Sequence, residues 1–217
     1  MCFWYICTVL SAQAYQTRRA SAPRGAARRE AILRATIAVV GELGPDALTH
    51  RAVAERAGVP LSATTYYFDS KEELFREAVA LAAAEEVERL EQLVLDLAPR
   101  ELSPTDWARE VSATLWEDLK SEPARPVAFY EFVLEAARRP ELREEVARWE
   151  VAQLRLAEVG LRAAGSDDPE TDAMVVVAAI TGLVIAQLGS PHEDFERDVL
   201  RPALERLFVQ LTSERPG

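Results

Sequence analysis

Few residues in this 217-residue chain are of types that carry reactions, and their spacing argues against an enzyme. The two histidines, His50 and His192, lie too far apart in sequence to suggest a local pair, and both cysteines, Cys2 and Cys7, fall within the first seven residues. There is no glycine-rich phosphate loop, and no serine or cysteine has an evident base beside it. Catalytic residues, metal site and cofactor are therefore all expected to be none. Two cysteines so placed build neither a disulfide framework nor a zinc site, which favours a reducing compartment. Positive charge is the remaining chemistry. Arg18, Arg19, Arg24, Arg28, Arg29 and Arg34 lie between residues 15 and 35 against the single Glu30. Residues 1–80 hold 10 basic and 8 acidic side chains, residues 81–217 hold 15 and 28, and the whole carries -11. A basic end on an acidic body suits contact with a polyanion; the plainer reading is a solvated tail.

The elements that position these groups are helices. Ala, Leu, Glu and Arg supply 110 of 217 residues, and glycine only 9. Ile32, Leu33, Thr36, Ile37, Val40 and Leu43 repeat at helical spacing over Arg28–Leu43. Thr49 is placed to cap a short helix over His50–Ala57, which Gly58 ends. Pro60 opens a third, Leu61–Phe68, and Asp69 or Ser70 caps a fourth from Lys71 to about Leu97. Breakers then divide the rest into helices near 104–120, 124–138, 140–164, 168–188 and 193–212. The fold class expected is all-α, a nine-helix, two-domain architecture. It comprises an N-terminal extension over 1–24, a helix-turn-helix domain over 25–72 and a helical bundle over 73–213. The apolar stretch Cys2–Leu10 has no basic residues before it, as a secretory signal requires, and is read as an extension outside the fold. No run reaches the roughly 18 apolar residues of a membrane span, so no membrane partner and a cytoplasmic location are expected.

A helix-turn-helix needs a small residue on its first helix, glycine in the turn and apolar residues around them. Val53, Ala54, Gly58 and Val59 meet those demands. The whole stretch Thr49–Leu74, with Ala57-Gly58-Val59, Tyr66-Tyr67-Phe68 and Ser70-Lys71-Glu72-Glu73-Leu74, resembles the DNA-binding domain of the TetR family of transcriptional repressors. The resemblance implies a homodimer whose third helix enters the major groove at each half of a palindromic double-stranded operator. It assigns DNA contact to Thr49, Arg51, Pro60, Leu61, Ser62, Ala63, Thr65, Tyr66, Tyr67 and Lys71. Leu61, Ser62 and Ala63 open the reading helix, Thr65 offers a hydroxyl and a methyl to bases, and Tyr67, Lys71, Arg51 and Thr49 reach phosphates. Tyr66 is equally readable as core. The sequence departs from the family at Pro60, Thr64 and Thr65, which bears on how bases are read.

The resemblance further implies a small-molecule effector among the fourth to seventh helices and a dimer interface on the last two. Aromatic residues in that region, Trp107, Trp116, Phe129, Tyr130 and Trp149, are candidates for the pocket, although aromatics at helical spacing more often build core. Tyr130–Arg143 resembles a C-terminal subtype that names no effector. The helix near 168–188 is apolar on nearly every face, and Ala178, Gly182 and Ala186 recur every four residues, so a second helix could approach closely. The competing reading is a helical small-molecule carrier or interaction protein without operator binding.

Overall fold

Capping chemistry sets the helix boundaries. The computed structural model describes residues 25–213, and among the described residues there are nine α-helices. Helix α1 (Gly25–Leu43) ends at Gly44, whose φ of 82° disfavours any side chain, and a 3₁₀ turn over Pro45–Ala47 follows. In α2 (His50–Ala57) the Thr49 hydroxyl accepts from the Ala52 amide at 3.1 Å. Gly58 then takes the left-handed conformation, and Val59 N–H returns to the Ala54 carbonyl at 3.0 Å. Helix α3 (Leu61–Tyr67) has only seven residues, and α4 (Lys71–Leu97) has 27. Ser70 caps α4 by accepting from Glu73 N–H, while the Glu73 carboxylate reaches back to Asp69 N–H at 2.7 Å.

Helices as short as α2 and α3 do not hold alone in water. Burial of Val53, Ala54 and Thr64 anchors them to α1 and α4. Thr64 stands where an apolar residue is usual, yet it is wholly buried without an unsatisfied hydroxyl. Its Oγ1 donates to the Leu61 carbonyl at 2.8 Å.

The body follows as α5 (Pro104–Ser121), α6 (Ala124–Arg138), α7 (Arg143–Ala163), α8 (Pro169–Gly189) and α9 (Arg201–Thr212). Two expectations change here. A 3₁₀ turn over Pro140–Leu142 precedes α7, and the stretch near 193–212 is not one helix, since a π turn occupies Glu196–Leu200 before α9. Pro202 has no N–H to donate to the carbonyl one turn back, and its ring crowds that position, which accounts for the irregular start. The expectation that no stretch could span a bilayer is also corrected: α8 is long and apolar enough by length and composition. Only 22 % of that apolar window is buried within the protomer, which leaves an apolar face open.

Two cores fill the interior. One joins α1, α2 and the first half of α4 to Ala128, Phe129, Phe132 and Ala136 of α6, so packing does not break at residue 72. The other joins the second half of α4 to α5, α7, α8 and α9 around Trp107, Leu161 and Phe208. Trp149 packs against both. The amino-terminal half is pinned to α6 at Gly41, where an added Cβ would lie 2.0 Å from the Ala124 carbonyl oxygen. Residues 1–24, including Arg18, Arg19 and Arg24, lie outside the described residues.

Candidate nucleic-acid interface and effector cavity

Helix α3 turns a short polar face to water. Leu61, Ser62, Thr65 and Tyr66 are exposed, with Tyr66 at 81 %, while Ala63 and Tyr67 are half-buried against the first core. So large an exposure answers the question about Tyr66: it is not core. Its ring meets Tyr67 edge-on at 5.0 Å between centroids. Phe68, one residue on, is buried and carries the Arg29 guanidinium 5.1 Å above its ring, which joins α1 to the end of α3. Arg29 also pairs with Glu77, and Arg34 with Glu30 and Glu85, so α1 and α4 are laced together by ion pairs.

The cations differ in how free they are. Lys71 is exposed and makes no ion pair among the described residues. Arg51 pairs with Glu55 at 3.3 Å, but both are more than two-thirds exposed, a pairing worth little in water and easily exchanged. The Thr49 hydroxyl is occupied as a helix cap. Thr65 is exposed, and its hydroxyl donates to the Ser62 carbonyl at 3.3 Å. Pro60 stands exposed just before the helix.

An apolar cavity of about 50 Å³ opens among α4, α5, α7, α8 and α9. Its walls include Leu90, Leu93, Trp107, Leu156, Ile180 and Phe208, and Arg89 is the only charged residue among them. Of the aromatic residues singled out from sequence, Trp107 alone lines it. Trp116 lies against Phe195 at 6.0 Å with the Lys120 ammonium over its ring. Phe129 and Trp149 stack at 4.6 Å in the first core. Tyr130 is half-buried, and burial pushes its phenol up to about 12. A larger cleft, about 300 Å³, lies at the first turn of α4, but Glu72, Arg76, Arg139 and Glu141 make it a charged surface crevice.

Behind the cavity is a cluster of charges that sequence reasoning missed. The nearly buried Glu86 holds both Arg89, at 2.5 Å, and Arg125 of α6, at 2.6 Å. Asp118 of α5 holds Arg89 from the other side at 2.5 Å. Burial works against the charge on Arg89, but the hydrogen bond and proximity of Glu86 and Asp118 outweigh it and raise its pKa. Burial raises the Asp118 carboxyl above its usual range, with Arg89 pulling the other way. One signal was available: Glu86, Arg89 and Leu93 follow Ala82 at helical spacing, which puts charges on the buried face of α4.

On α8, Ala178, Gly182 and Ala186 are all exposed, together with Met174 at 55 % and Ile185 at 50 %. A Cβ at Gly182 would meet nothing within 4 Å.

Residues 32–78 match the model of bacterial regulatory proteins of the tetR family, and residues 102–210 match that of the tetracyclin repressor-like C-terminal domain. A search of curated proteins finds no match. Among solved structures, the multidrug binding protein EbrR complexed with ethidium is 32 % identical, covers 83 % of this chain and 98 % of its own, and superposes with a TM-score of 0.62. The same protein complexed with malachite green is 31 % identical over 83 % of this chain and 97 % of its own, with a TM-score of 0.59. A TetR-family member from Streptomyces coelicolor A3, SCO1917, is 28 % identical over 86 % of this chain and 99 % of its own, with a TM-score of 0.62. Both domains, their order and the helical architecture agree, and the chain belongs to the TetR family of helix-turn-helix transcriptional regulators.

Proposed function

We propose that this regulator is a cytoplasmic repressor that binds a palindromic operator as a homodimer and releases it when a small apolar effector enters the cavity. The observation that carries the reading is the course of α4. Its first turn bears the exposed Lys71, without an ion pair among the described residues, beside α3, and its sixth and seventh turns supply Arg89, Leu90 and Leu93 to the cavity wall. One helix thus touches both proposed sites. Ser62 and Thr65 read bases, Tyr67 and Lys71 hold phosphates, and Arg51 exchanges Glu55 for phosphate on binding. The apolar face of α8 pairs with its copy, setting two reading helices about 34 Å apart, one turn of DNA.

The effector reading draws support from EbrR, which is described as binding several drugs. A cavity of about 50 Å³ holds few atoms, so a ring-bearing ligand enters only by parting its walls. Arg89 moves with them and shares Glu86 with Arg125, the residue next to Ala124, whose carbonyl rests on Gly41 of α1. Displacement in the cavity therefore reaches the reading domain through ion pairs and one backbone contact. A ligand that favours the displaced form weakens operator binding by the same factor as the operator weakens it.

A mobility-shift assay with the DNA upstream of the chain's own gene tests the reading. A shift that persists against random duplex, weakens steeply with salt and needs an inverted repeat is expected. Equal affinity for random duplex, or a chain that sediments as a monomer at micromolar concentration, would sink it.

A further inference from the structure

The effector cavity is apolar except for a few groups, and one of them is unsatisfied. Trp107 is wholly buried and lies in the cavity wall, yet its indole N–H finds no acceptor among the described residues. A buried donor left without a partner is costly, and such groups call for an explanation. Gly160 of α7 lies against Cε3, Cδ2 and Cζ3, the part of the ring away from the nitrogen. The Trp149 indole N–H also lacks a partner among the described residues, but Trp149 is not part of the cavity wall.

Three other polar side chains reach the wall: Gln153 is only half-buried, unlike Trp107, and the other two are already engaged. The Thr114 hydroxyl donates to the Glu110 carbonyl at 2.9 Å. Arg89 is the sole charged residue of the lining, and it is held by Glu86 and Asp118 at 2.5 Å each. A cation entering here meets the positive member of that cluster first, with both carboxylates already engaged behind it. No acidic side chain stands in the lining itself.

We propose that the effector is an apolar molecule presenting a carbonyl or carboxylate oxygen to the indole N–H of Trp107, rather than a cationic dye. The inference rests on the cavity being the effector site. Trp107 then acts as a specificity residue, because an acceptor oxygen satisfies a donor that a hydrocarbon of equal shape leaves stranded. The unpartnered donor also sets where the ligand's polar end lies, against α5, with its apolar part toward Leu90, Leu156 and Ile180.

Four probes test this: 2-acetylnaphthalene, 2-naphthoate, the shape-matched hydrocarbon 2-isopropenylnaphthalene, and the cation proflavin. Binding is measured by calorimetry on the full chain, and operator release by mobility shift. The ketone is expected to bind about tenfold more tightly than the hydrocarbon, and proflavin more weakly than either oxygen-bearing probe. In Trp107→Phe, which keeps the ring and removes the donor, the ketone and hydrocarbon should bind alike. On the wild-type chain, the Trp107 Nε1 proton should move downfield in nitrogen–proton spectra with the ketone and not with the hydrocarbon. That readout decides the matter even if the variant does not fold. Equal binding of ketone and hydrocarbon to the wild type, a preference unchanged in Trp107→Phe, or tighter binding of proflavin overturns the acceptor assignment. If the hydrocarbon still releases the operator in those cases, the effector site stands and only the assignment falls. If none of the four binds, both fall together.

Discussion

Helices α3 and α8 both present surfaces that the protomer leaves uncovered, and they do so in opposite chemical terms. The face of α3 carries hydroxyls and a phenol on a helix of seven residues, with Lys71 close behind. That of α8 carries Met174, Ala178, Gly182, Ile185 and Ala186 along 21 residues. Water satisfies the first and is repelled by the second. The polar surface can therefore wait for a partner, while the apolar one is stable only when covered. Under the proposed function the difference assigns an order: association through α8 comes first, and DNA meets an assembled pair.

The comparison can be broken most sharply at the joint between the halves. Gly41→Val would drive side-chain atoms into the Ala124 carbonyl, at an expected cost of about 3 kcal/mol or more, a fall in Tm of roughly 10 °C. Thermal unfolding by calorimetry should show one transition moving as a whole. Two transitions, only one of them shifted, would mean that the halves fold independently. Next in size is Gly182→Arg, which places a long cation on the bare part of α8. Sedimentation should then report a monomer of unchanged helicity, and operator affinity should fall on the order of 100-fold as the second half-site is lost. Unaltered affinity in a proven monomer would remove α8 from the DNA-binding scheme.

Smaller effects distinguish reading from holding across α3 and the start of α4. Thr65→Ala should change the preferred base at one position by about 1–3 kcal/mol. Tyr67→Phe and Lys71→Ala should weaken every site alike, and Lys71→Ala should also flatten the salt dependence. A base preference altered by Lys71→Ala would show that the two roles are not separate.

The smallest effect expected is one of acidity in the body. Arg201 hydrogen-bonds Glu196 and lowers its pKa against the opposing effect of burial, while Ser112 donates to the same carboxylate at 3.0 Å. A carboxyl lowered on folding stabilises the fold above its unfolded pKa and loses that contribution as pH falls through the folded value. Stability should thus decline below about pH 4.5, and Glu196→Gln should make that decline shallower in Tm measured against pH.

Legibility followed the range of the interactions. Thr49, Gly58 and Ser70 act on residues within one turn, so cap and turn positions around α2, α3 and α4 are written locally, and those boundaries were readable. The split of the final helix required Pro202 to be weighed as a break within a periodic stretch. The cavity was the least readable feature because five helices contribute its walls. Trp107 belongs to it and Trp116, two and a half turns later on the same helix, does not; both are aromatic residues at helical spacing. Only tertiary packing tells them apart. The charges of Glu86, Arg89, Asp118 and Arg125 come from three helices, and each alone looks like an ordinary solvated residue.

The unbroken length of α4 has a mechanical consequence. A helix of 27 residues is a rod of about 40 Å. Lys71 stands roughly 28 Å from Leu90 along that rod. A tilt of about 5° at the cavity end would carry the Lys71 end sideways by about 2.5 Å over that span. That displacement is close to the length of a hydrogen bond. Under the proposed function, leverage of this kind makes contact at the first turn a matter of kept or lost, and Leu74 and Phe75, buried beside that turn, must shift with it.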